Sequence, residues 1–216
     1  MIQAVVLDVG ETLIDETRIW ARWSERLGVP ALTLMGLLGG MAALDRSHRD
    51  ALELIKPEFD LVTELDLWAQ EAPESLRQRF DEHDLYPDVR PALDALFATG
   101  VSIYIAGNQP AEARKALVSM NLPVDHVANS HEIGAEKPAA AFFEGVVDLV
   151  ASAPESILYV GDRLDNDILP ARRAGMRTVL MRRGPWGYLH AERAEAGLAD
   201  AVCDSLLELS SVAARL

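Results

Sequence analysis

The chain has 216 residues, of which 50% are hydrophobic and 25% charged, which is ordinary for a globular protein with a sizeable core. Twenty basic residues against 34 acidic ones give a net charge of −14, which argues against nucleic acid or any other polyanion held by general electrostatic attraction. No apolar run approaches the length of a membrane span and no signal peptide is recognisable; together with a single cysteine, Cys203, this predicts a cytoplasmic protein.

The first twelve residues contain the first candidate site. Four apolar residues, Ala4 to Leu7, run into Asp8 and then into Gly10, which predicts a buried strand that ends at Asp8. Open parallel sheets bind their ligands at the carboxyl ends of the strands, so Asp8 is a candidate site residue. A carboxylate that caps a helix or closes a turn is the alternative interpretation of an isolated Asp after a strand.

Residues 15–84 show helical periodicity and no convincing strand. Ile19, Trp20, Trp23 and Leu27 recur at helical spacing, and this helix is predicted to end at Gly28. Further helices are predicted over 32–44, with an interruption at Gly39 and Gly40, over 47–55, and over 61–80, with a break near Pro73. This pattern predicts a small helical domain over 15–84, inserted into a core of 1–14 and 85–216. Helices packed directly on the main sheet are the alternative.

From Tyr86 to the end of the chain, strand and helix patterns alternate. Strands are predicted over 101–106, 126–128, 157–160 and 178–181, with a short apolar triplet at 201–203. Helices are predicted over 92–99, 111–120 and 139–151, from Pro170 to Gly175, and at the end of the chain after a cap at Asp204. Alternation of this kind predicts an α/β fold, a parallel sheet with helices on both faces.

Polar residues at the strand ends are expected to meet at one edge of this sheet. Asp8, Asn108 and Asp162 each lie at or just after the carboxyl end of a separate predicted strand, and the loop that carries Lys137 can reach the same edge. Asp8, Asp162 and Asp167 would then place three carboxylates in one crevice, where they raise one another's pKa or require a cation. Oxygen ligands without a neighbouring His or Cys favour Mg²⁺, so we expect a small magnesium centre.

Four motifs, in this order, resemble those of the haloacid dehalogenase-like (HAD) hydrolase superfamily. They are Asp8-Val9-Gly10-Glu11-Thr12-Leu13, the apolar strand that ends in Asn108, Glu136-Lys137-Pro138, and Gly161-Asp162 followed by Asn166-Asp167. The resemblance implies a Rossmann-like core, a helical cap domain inserted just after the first strand, and phosphoryl transfer through an aspartyl-phosphate.

The resemblance also implies a role for each matching residue. Asp8 matches the nucleophile, and Lys137 matches the lysine that orients Asp8 and the phosphoryl oxygens. Asp162 and Asp167 match the acids at the metal ion. With Asp8 and the backbone carbonyl of Gly10, they make up the expected Mg²⁺ ligands.

Two glycines depart from the family pattern. Family phosphatases usually carry a second Asp as general acid and base where this chain has Gly10, so its loss predicts slow turnover. They usually bind phosphate through a Ser or Thr hydroxyl where this chain has Gly107. The backbone N–H groups of Gly107 and Asn108 are therefore the expected phosphate-binding donors. Glu11, next to Gly10, is a candidate substitute for the proton carrier.

Arg163 directly follows Asp162 and is a further candidate for contact with the substrate. A salt bridge with Asp165 or Glu136 would explain this arginine equally well.

The expected function is that of a Mg²⁺-dependent phosphatase, slow because of Gly10, which acts on a small phosphorylated metabolite. One alternative is a catalytically impaired protein that binds phosphate and Mg²⁺ in a regulatory role. Another is a 2-haloacid dehalogenase, a class that lacks the metal site, so Asp162 and Asp167 argue against it. A small phosphorylated substrate is the expected partner, with no nucleic acid and no membrane, and the chain is expected to be a monomer or a homodimer.

Overall fold

The computed structural model describes residues 1–71, 80–109 and 111–216, apart from the side chains of residues 111 and 112. The chain divides into two compact units. One consists of Met1–Asp15 and Asp81–Leu216, and the other of Glu16–Phe80. The first unit contains a β-sheet, and the second is helical over the residues described. That the second unit acts as a cap domain stays a prediction.

The described part of the second unit forms four helices, α1 Thr17–Leu27, α2 Ala31–Ala43, α3 His48–Ile55 and α4 Leu61–Glu71. Gly28 ends α1 in the left-handed conformation, and its N–H donates to the carbonyl of Glu25 over 3.1 Å. The Trp23 ring meets Trp68 and Phe59 edge-on, with ring centres 5.1 and 5.7 Å apart. These aromatic side chains form a small core of the unit's own.

Two of the helices predicted for this unit differ from the described structure or extend beyond it. The interruption predicted at Gly39 and Gly40 is wrong, because α2 runs through both glycines. Buried Leu34, Leu38 and Met41 hold this helix by packing, which outweighs the low helix propensity of glycine. The helix predicted over 61–80 is seen to Glu71, and its break near Pro73 lies outside the described residues.

Across the ranges that the structure describes, no single helix is both long enough and apolar enough to cross a membrane. The pair α1 and α2 reaches such a length only together, and the two helices are bent by 114° where they join.

Six strands form one parallel sheet in the first unit, as predicted. They are β1 Ala4–Leu7, β2 Ser102–Gly107, β3 His126–Asn129, β4 Ile157–Gly161, β5 Arg177–Met181 and β6 Ala201–Cys203. Their order is β3-β2-β1-β4-β5-β6, which places β1 between β2 and β4. Leu7, at the end of β1, is in register with Ile105 and Val160. The chain therefore leaves these three neighbouring strands at one edge of the sheet, where α/β proteins bind ligands.

The remaining helices belong to the first unit. They are α5 Val89–Phe97, α6 Ala111–Ser119, α7 Ser130–Ile133, α8 Ala140–Val150, α9 Leu169–Arg173, α10 Gly184–Ala191 and α11 Leu209–Arg215. On one face of the sheet, Phe142 and Phe143 of α8 pack with Ala4 and Val6 of β1. Residues of β1 that alternate with these, such as Val5, are also fully buried, so both faces of the sheet are covered.

Three segments of the first unit differ from the prediction. Residues 184–191, for which no helix is predicted, form α10, with Pro185 in its first turn. Residues 164–168, which the strand and helix patterns leave between β4 and the helix predicted from Pro170, form one π-helical turn before α9. The cap of the last helical segment is Ser205, not Asp204: its hydroxyl accepts the N–H of Leu207, while Asp204 pairs with Arg182.

The two ends of the inserted segment are joined by backbone hydrogen bonds within the first unit. The N–H of Asp15 donates to the carbonyl of Asp84 over 2.8 Å, and the N–H of Tyr86 donates to the carbonyl of Leu13 over 3.0 Å. Between them, Ile14 and Leu85 form an antiparallel bridge. The chain thus leaves the first unit and returns to it at one point, six residues after Asp8.

An ion pair between Arg183 and Asp88 ties this region to the end of the chain. Arg183, buried after β5, donates to the Thr12 carbonyl over 2.7 Å and to the Asp88 carboxylate. The Ser205 hydroxyl and the Leu206 N–H also donate to Asp88, over 2.7 and 2.9 Å. Burial alone would raise the pKa of Asp88, but these three donors outweigh burial and hold the pKa below its ordinary value.

We expect Asp88→Asn to lower the free energy of unfolding by about 2 kcal/mol at pH 7, because it weakens several charge-assisted hydrogen bonds at once. The folded-state pKa of Asp88 lies below the unfolded value, near 3.8. The carboxylate's contribution is therefore complete above that pH and is lost as the pH falls through the folded-state pKa. Urea unfolding of wild type and variant between pH 7 and pH 3 measures this difference.

Asp94→Asn is the matched control, because Asp94 lies on the exposed side of the same helix, α5. It should leave the stability nearly unchanged at every pH. A deficit in Asp88→Asn that stays constant down to pH 3 would show that its charge does not stabilise the fold.

Candidate active site

The structure brings four of the predicted site residues together at the edge of the sheet. Asp8 follows β1, Asp162 follows β4, Asp167 lies in the π-helical turn, and Lys137 lies between α7 and α8. Their exposed fractions are 7% for Asp8, 4% for Asp162, 0% for Asp167 and 6% for Lys137. Buried charges of this kind require partners, and Lys137 pairs with both Asp8 and Asp167 within the group.

Lys137 is the centre of this cluster. Its Nζ lies 2.6 Å from Asp8 Oδ1 and 2.6 Å from Asp167 Oδ1. Burial lowers the pKa of Lys137, but Asp167, Asp8 and the buried Tyr159 beside it raise the pKa by more, so it lies well above its usual value. The lysine is therefore held as a cation that joins two carboxylates from different loops.

Asn108 holds the backbone of Lys137. The Lys137 N–H donates to Asn108 Oδ1 over 2.8 Å, and Asn108 Nδ2 donates to the Lys137 carbonyl over 3.0 Å. This pair of hydrogen bonds fixes the loop of the lysine against the end of β2. The side chain of Asn108 is thus engaged by the backbone of Lys137. The backbone N–H of Asn108 stays the predicted donor to the phosphate.

Glycines at two strand ends leave room for the carboxylates. A Cβ built on Gly107 would lie 2.5 Å from Asp8 Oδ1, and one built on Gly161 would lie 2.6 Å from the Cβ of Asp167. Both distances are too short for any side chain, so the two acids occupy space that only glycine provides. Gly107, which departs from the family pattern, thus leaves the space that the Asp8 carboxylate occupies.

The three acids carry more negative charge than Lys137 can balance. Asp8, Asp162 and Asp167 each offer one oxygen, and these oxygens lie within 4.8 Å of one another. Burial and the neighbouring carboxylates raise the pKa of Asp162 well above its usual value. Burial and Asp8 raise the pKa of Asp167 to about 6, although Lys137 lowers it.

This donor set fits a magnesium ion. The ligands are hard oxygens, no His or Cys belongs to the described cluster, and three carboxylates against one ammonium leave a net charge that a divalent cation would neutralise. Gly10 lies two residues after Asp8 and forms a bridge with Ile14, which folds the loop back on itself. Its carbonyl stays a predicted ligand.

Arg163 pairs with Asp165, as one of the two interpretations anticipated. Its Nε and Nη2 donate to the two oxygens of Asp165 over 3.1 and 2.6 Å. The guanidinium also lies 4.8 Å from the centre of the Trp186 ring. These contacts engage one edge and one face of the guanidinium within the protein, and a contact between Arg163 and substrate stays a prediction.

Glu11 is directed toward Tyr86. The Tyr86 hydroxyl donates to Glu11 Oε2, and a Cβ built on Gly184 would lie 2.5 Å from Glu11 Cγ. Burial and Glu11 raise the pKa of Tyr86, so Tyr86 stays a hydrogen-bond donor. Glu11 itself has a φ of +50°. The carboxylate is thus engaged by Tyr86, which weakens the hypothesis that it replaces the missing proton carrier.

Sequence reasoning missed three side chains that support the site. Tyr159 lies within β4 and its hydroxyl donates to the Ala106 carbonyl over 3.0 Å. Arg183 holds the loop after Asp8 through the Thr12 carbonyl, and His190 of α10 accepts the N–H of Leu164 over 2.9 Å. None belongs to a motif. Tyr159 lies in an apolar strand. Arg183 directly precedes α10 and His190 lies within it, and the sequence pattern does not predict this helix.

A family model and several characterised relatives match this chain in sequence. A haloacid dehalogenase-like hydrolase family model matches residues 2–175. The glyceraldehyde 3-phosphate phosphatase of Methanopyrus kandleri is 30% identical over 204 residues, covering 86% of each chain. The phosphoglycolate phosphatase of Vibrio vulnificus strain YJ016 is 26% identical, over 98% of this chain and 96% of the relative.

Solved structures share the fold across two activities. A HAD phosphatase from Thermococcus onnurineus superposes with a TM-score of 0.60 at 22% identity, over 98% of this chain and 97% of the other. The L-2-haloacid dehalogenase of Xanthobacter autotrophicus gives 0.68 at 19% identity, over 98% of each chain. Because the family model matches residues 2–175, the chain belongs to the haloacid dehalogenase-like hydrolase family.

Proposed function

We propose that this chain is a Mg²⁺-dependent phosphatase that hydrolyses a small phosphorylated metabolite through an aspartyl-phosphate on Asp8. The observation that carries the proposal is the buried cluster in which Lys137 joins Asp8 to Asp167 with Asp162 alongside. Relatives named as glyceraldehyde 3-phosphate and phosphoglycolate phosphatases support a small phosphate ester as the substrate.

In the first step, a carboxylate oxygen of Asp8 attacks the phosphorus of the ester. A bond forms between Asp8 and phosphorus, the bond from phosphorus to the leaving oxygen breaks, and the leaving group takes up a proton. Lys137 holds Asp8 Oδ1 at 2.6 Å and so fixes the direction of the carboxylate. Its positive charge also attracts the phosphoryl oxygens as negative charge develops on them.

In the second step, water attacks the phosphorus of the aspartyl-phosphate, and the bond to Asp8 breaks to give inorganic phosphate and free enzyme. Both steps need a proton carrier. Gly10 has no side chain to serve as one, and Glu11 is engaged by Tyr86. Protons therefore come from and go to water, and the reaction is slower than with a general acid and base.

Asp8, Asp162, Asp167 and the carbonyl of Gly10 are the proposed magnesium ligands. A bound Mg²⁺ supplies positive charge that offsets the repulsion between the carboxylates and the phosphate. Asp167 Oδ2 accepts the N–H of Arg163 over 3.1 Å while its Oδ1 accepts from Lys137, which keeps this acid oriented toward the cluster. The backbone N–H groups of Gly107 and Asn108 are the proposed donors to the phosphate.

The two alternative functions are weaker explanations of the same residues. A dehalogenase of this family needs the Asp nucleophile but no metal. That function does not explain why Asp162 and Asp167 are buried close to Asp8. A binding protein that has lost catalysis would retain the metal centre, so activity measurements decide between it and the phosphatase. We propose that the unit Glu16–Phe80 is the cap domain that selects the substrate.

We expect purified wild type to release phosphate from p-nitrophenyl phosphate in the presence of Mg²⁺ and to stop when EDTA removes the metal. Asp8→Asn should reduce the rate to background, because an amide cannot attack phosphorus. The measurement is phosphate release with and without Mg²⁺ for both proteins, together with mass spectrometry of the acid-quenched wild type for the phosphorylated Asp8.

Asp94→Asn, an exposed substitution on α5, is the control and should retain the wild-type rate. Equal activity of wild type and Asp8→Asn would exclude Asp8 as the nucleophile. Inactivity of the wild type on a panel of phosphate esters, combined with measurable Mg²⁺ binding, would favour the binding protein.

We expect Gly10→Asp to raise kcat by about 10-fold or more, because a carboxylate at this position would supply the missing general acid and base. The described glycines with a left-handed backbone do not include Gly10, so an Asp there needs no change in φ. Gly10→Asn has the same size without the acid and should not raise kcat. Equal effects of the two variants would show that proton transfer does not limit the rate.

A further inference from the structure

We infer that His190 is a positioning residue for the metal-binding acids: its imidazole fixes the π-helical turn that carries Asp167. The side chain is fully buried in α10, and its Nδ1 accepts the backbone N–H of Leu164 over 2.9 Å. His190 lies 23 residues after Asp167 and outside every motif recognised in the chain. The inference rests on the proposed function, because it assigns these acids to a metal ion.

The N–H of Leu164 needs an acceptor from outside its own turn. Leu164 begins the π-helical turn Leu164–Ile168, and the first N–H groups of any helix have no partner within it. The preceding residue, Arg163, makes no side-chain cap. His190 therefore takes the place of a cap from another element, and it does so in the interior, where an unpaired N–H would be costly.

The orientation of this turn decides where Asp167 lies. The Asp167 N–H donates to the Arg163 carbonyl over 3.0 Å, and the Arg163 N–H donates back to Asp167 Oδ2 over 3.1 Å. The backbone that His190 anchors at Leu164 is thus the backbone that holds the Asp167 carboxylate. If the turn rotated, Asp167 Oδ2 would move relative to Asp8 and Asp162.

Helix α10 is a rigid support for this contact. A Cβ built on Gly187 would lie 2.5 Å from the Met181 carbonyl, so the helix packs directly on the end of β5. One turn before His190, the Trp186 ring stacks on the guanidinium of Arg163. The helix therefore holds both Arg163 and Leu164, the two residues from which the acidic turn begins.

The side-chain chemistry of position 190 allows a matched test. An imidazole that accepts at Nδ1 is neutral and carries its proton on Nε2. Asn places its Oδ1 one bond from Cγ, as Nδ1 of histidine is, and Leu has a similar shape to Asn without a polar atom. His190→Asn and His190→Leu lose the same ring, and they differ in the acceptor for the Leu164 N–H.

We expect His190→Leu to weaken Mg²⁺ binding by about 10- to 100-fold, as is usual when a group that orients metal ligands is removed. His190→Asn should bind Mg²⁺ nearly as tightly as wild type. The measurement is isothermal titration of the metal-free proteins with MgCl₂ and no substrate, after thermal unfolding in EDTA has shown that each variant is folded. The control Trp186→Phe, which keeps a stacked ring on Arg163, should also bind like wild type.

The outcomes separate this inference from the proposed function. Wild type that binds no Mg²⁺ overturns the metal centre and the role of His190 with it. Wild type that binds Mg²⁺, with His190→Leu binding equally well, overturns the role of His190 alone. Equal weakening in Leu and Asn variants also overturns it, because the ring and not the acceptor would then matter. If His190→Leu does not fold, His190→Gln replaces it, since its amide lies one bond beyond the acceptor position and should weaken binding likewise.

Discussion

The arrangement of the first unit depends on one electrostatic constraint, the burial of three neighbouring carboxylates with a single ammonium group that contacts two of them. Like charges at this separation repel unless a cation lies among them, and Lys137 supplies the part of the positive charge that the protein itself contains. The neighbouring residues hold the lysine in place and make room for the acids. Asn108 holds the backbone of the lysine, and Gly107 and Gly161 leave space for the acids that contact it.

The loops that carry the charged groups are supported by residues late in the chain. Arg183 holds the loop after Asp8 through the Thr12 carbonyl, and α10 holds the turn before Asp167 through His190. Both supports follow β5, the strand next to β4 in the sheet. The reacting groups and the groups that hold them thus come from separate parts of the sequence and meet because parallel strands end at one edge.

Much of the fold and the charged centre could be predicted from the sequence because both follow from local patterns. Apolar runs that end in Asp8 and Asp162 mark buried strands and the polar residues behind them, and parallel topology brings these residues together. The helix α10 could not be predicted, because the Gly184-Pro185-Trp186-Gly187 stretch has turn-like composition and is stabilised by close packing on Met181. The partner of Arg163 was open for a similar reason: Asp165 and Glu136 are equally plausible neighbours until the turn is known.

The closure of the chain at the base of the inserted segment has a consequence for how such proteins diverge. Leu13 to Asp15 and Asp84 to Tyr86 are tied to each other by hydrogen bonds that belong to the sheet-containing unit. A segment of different length or sequence, begun and ended at these two points, would leave the bonds at its base and the ion cluster beyond them intact. The fold thus allows recombination or drift to rebuild the helical module while the charged centre is inherited unchanged.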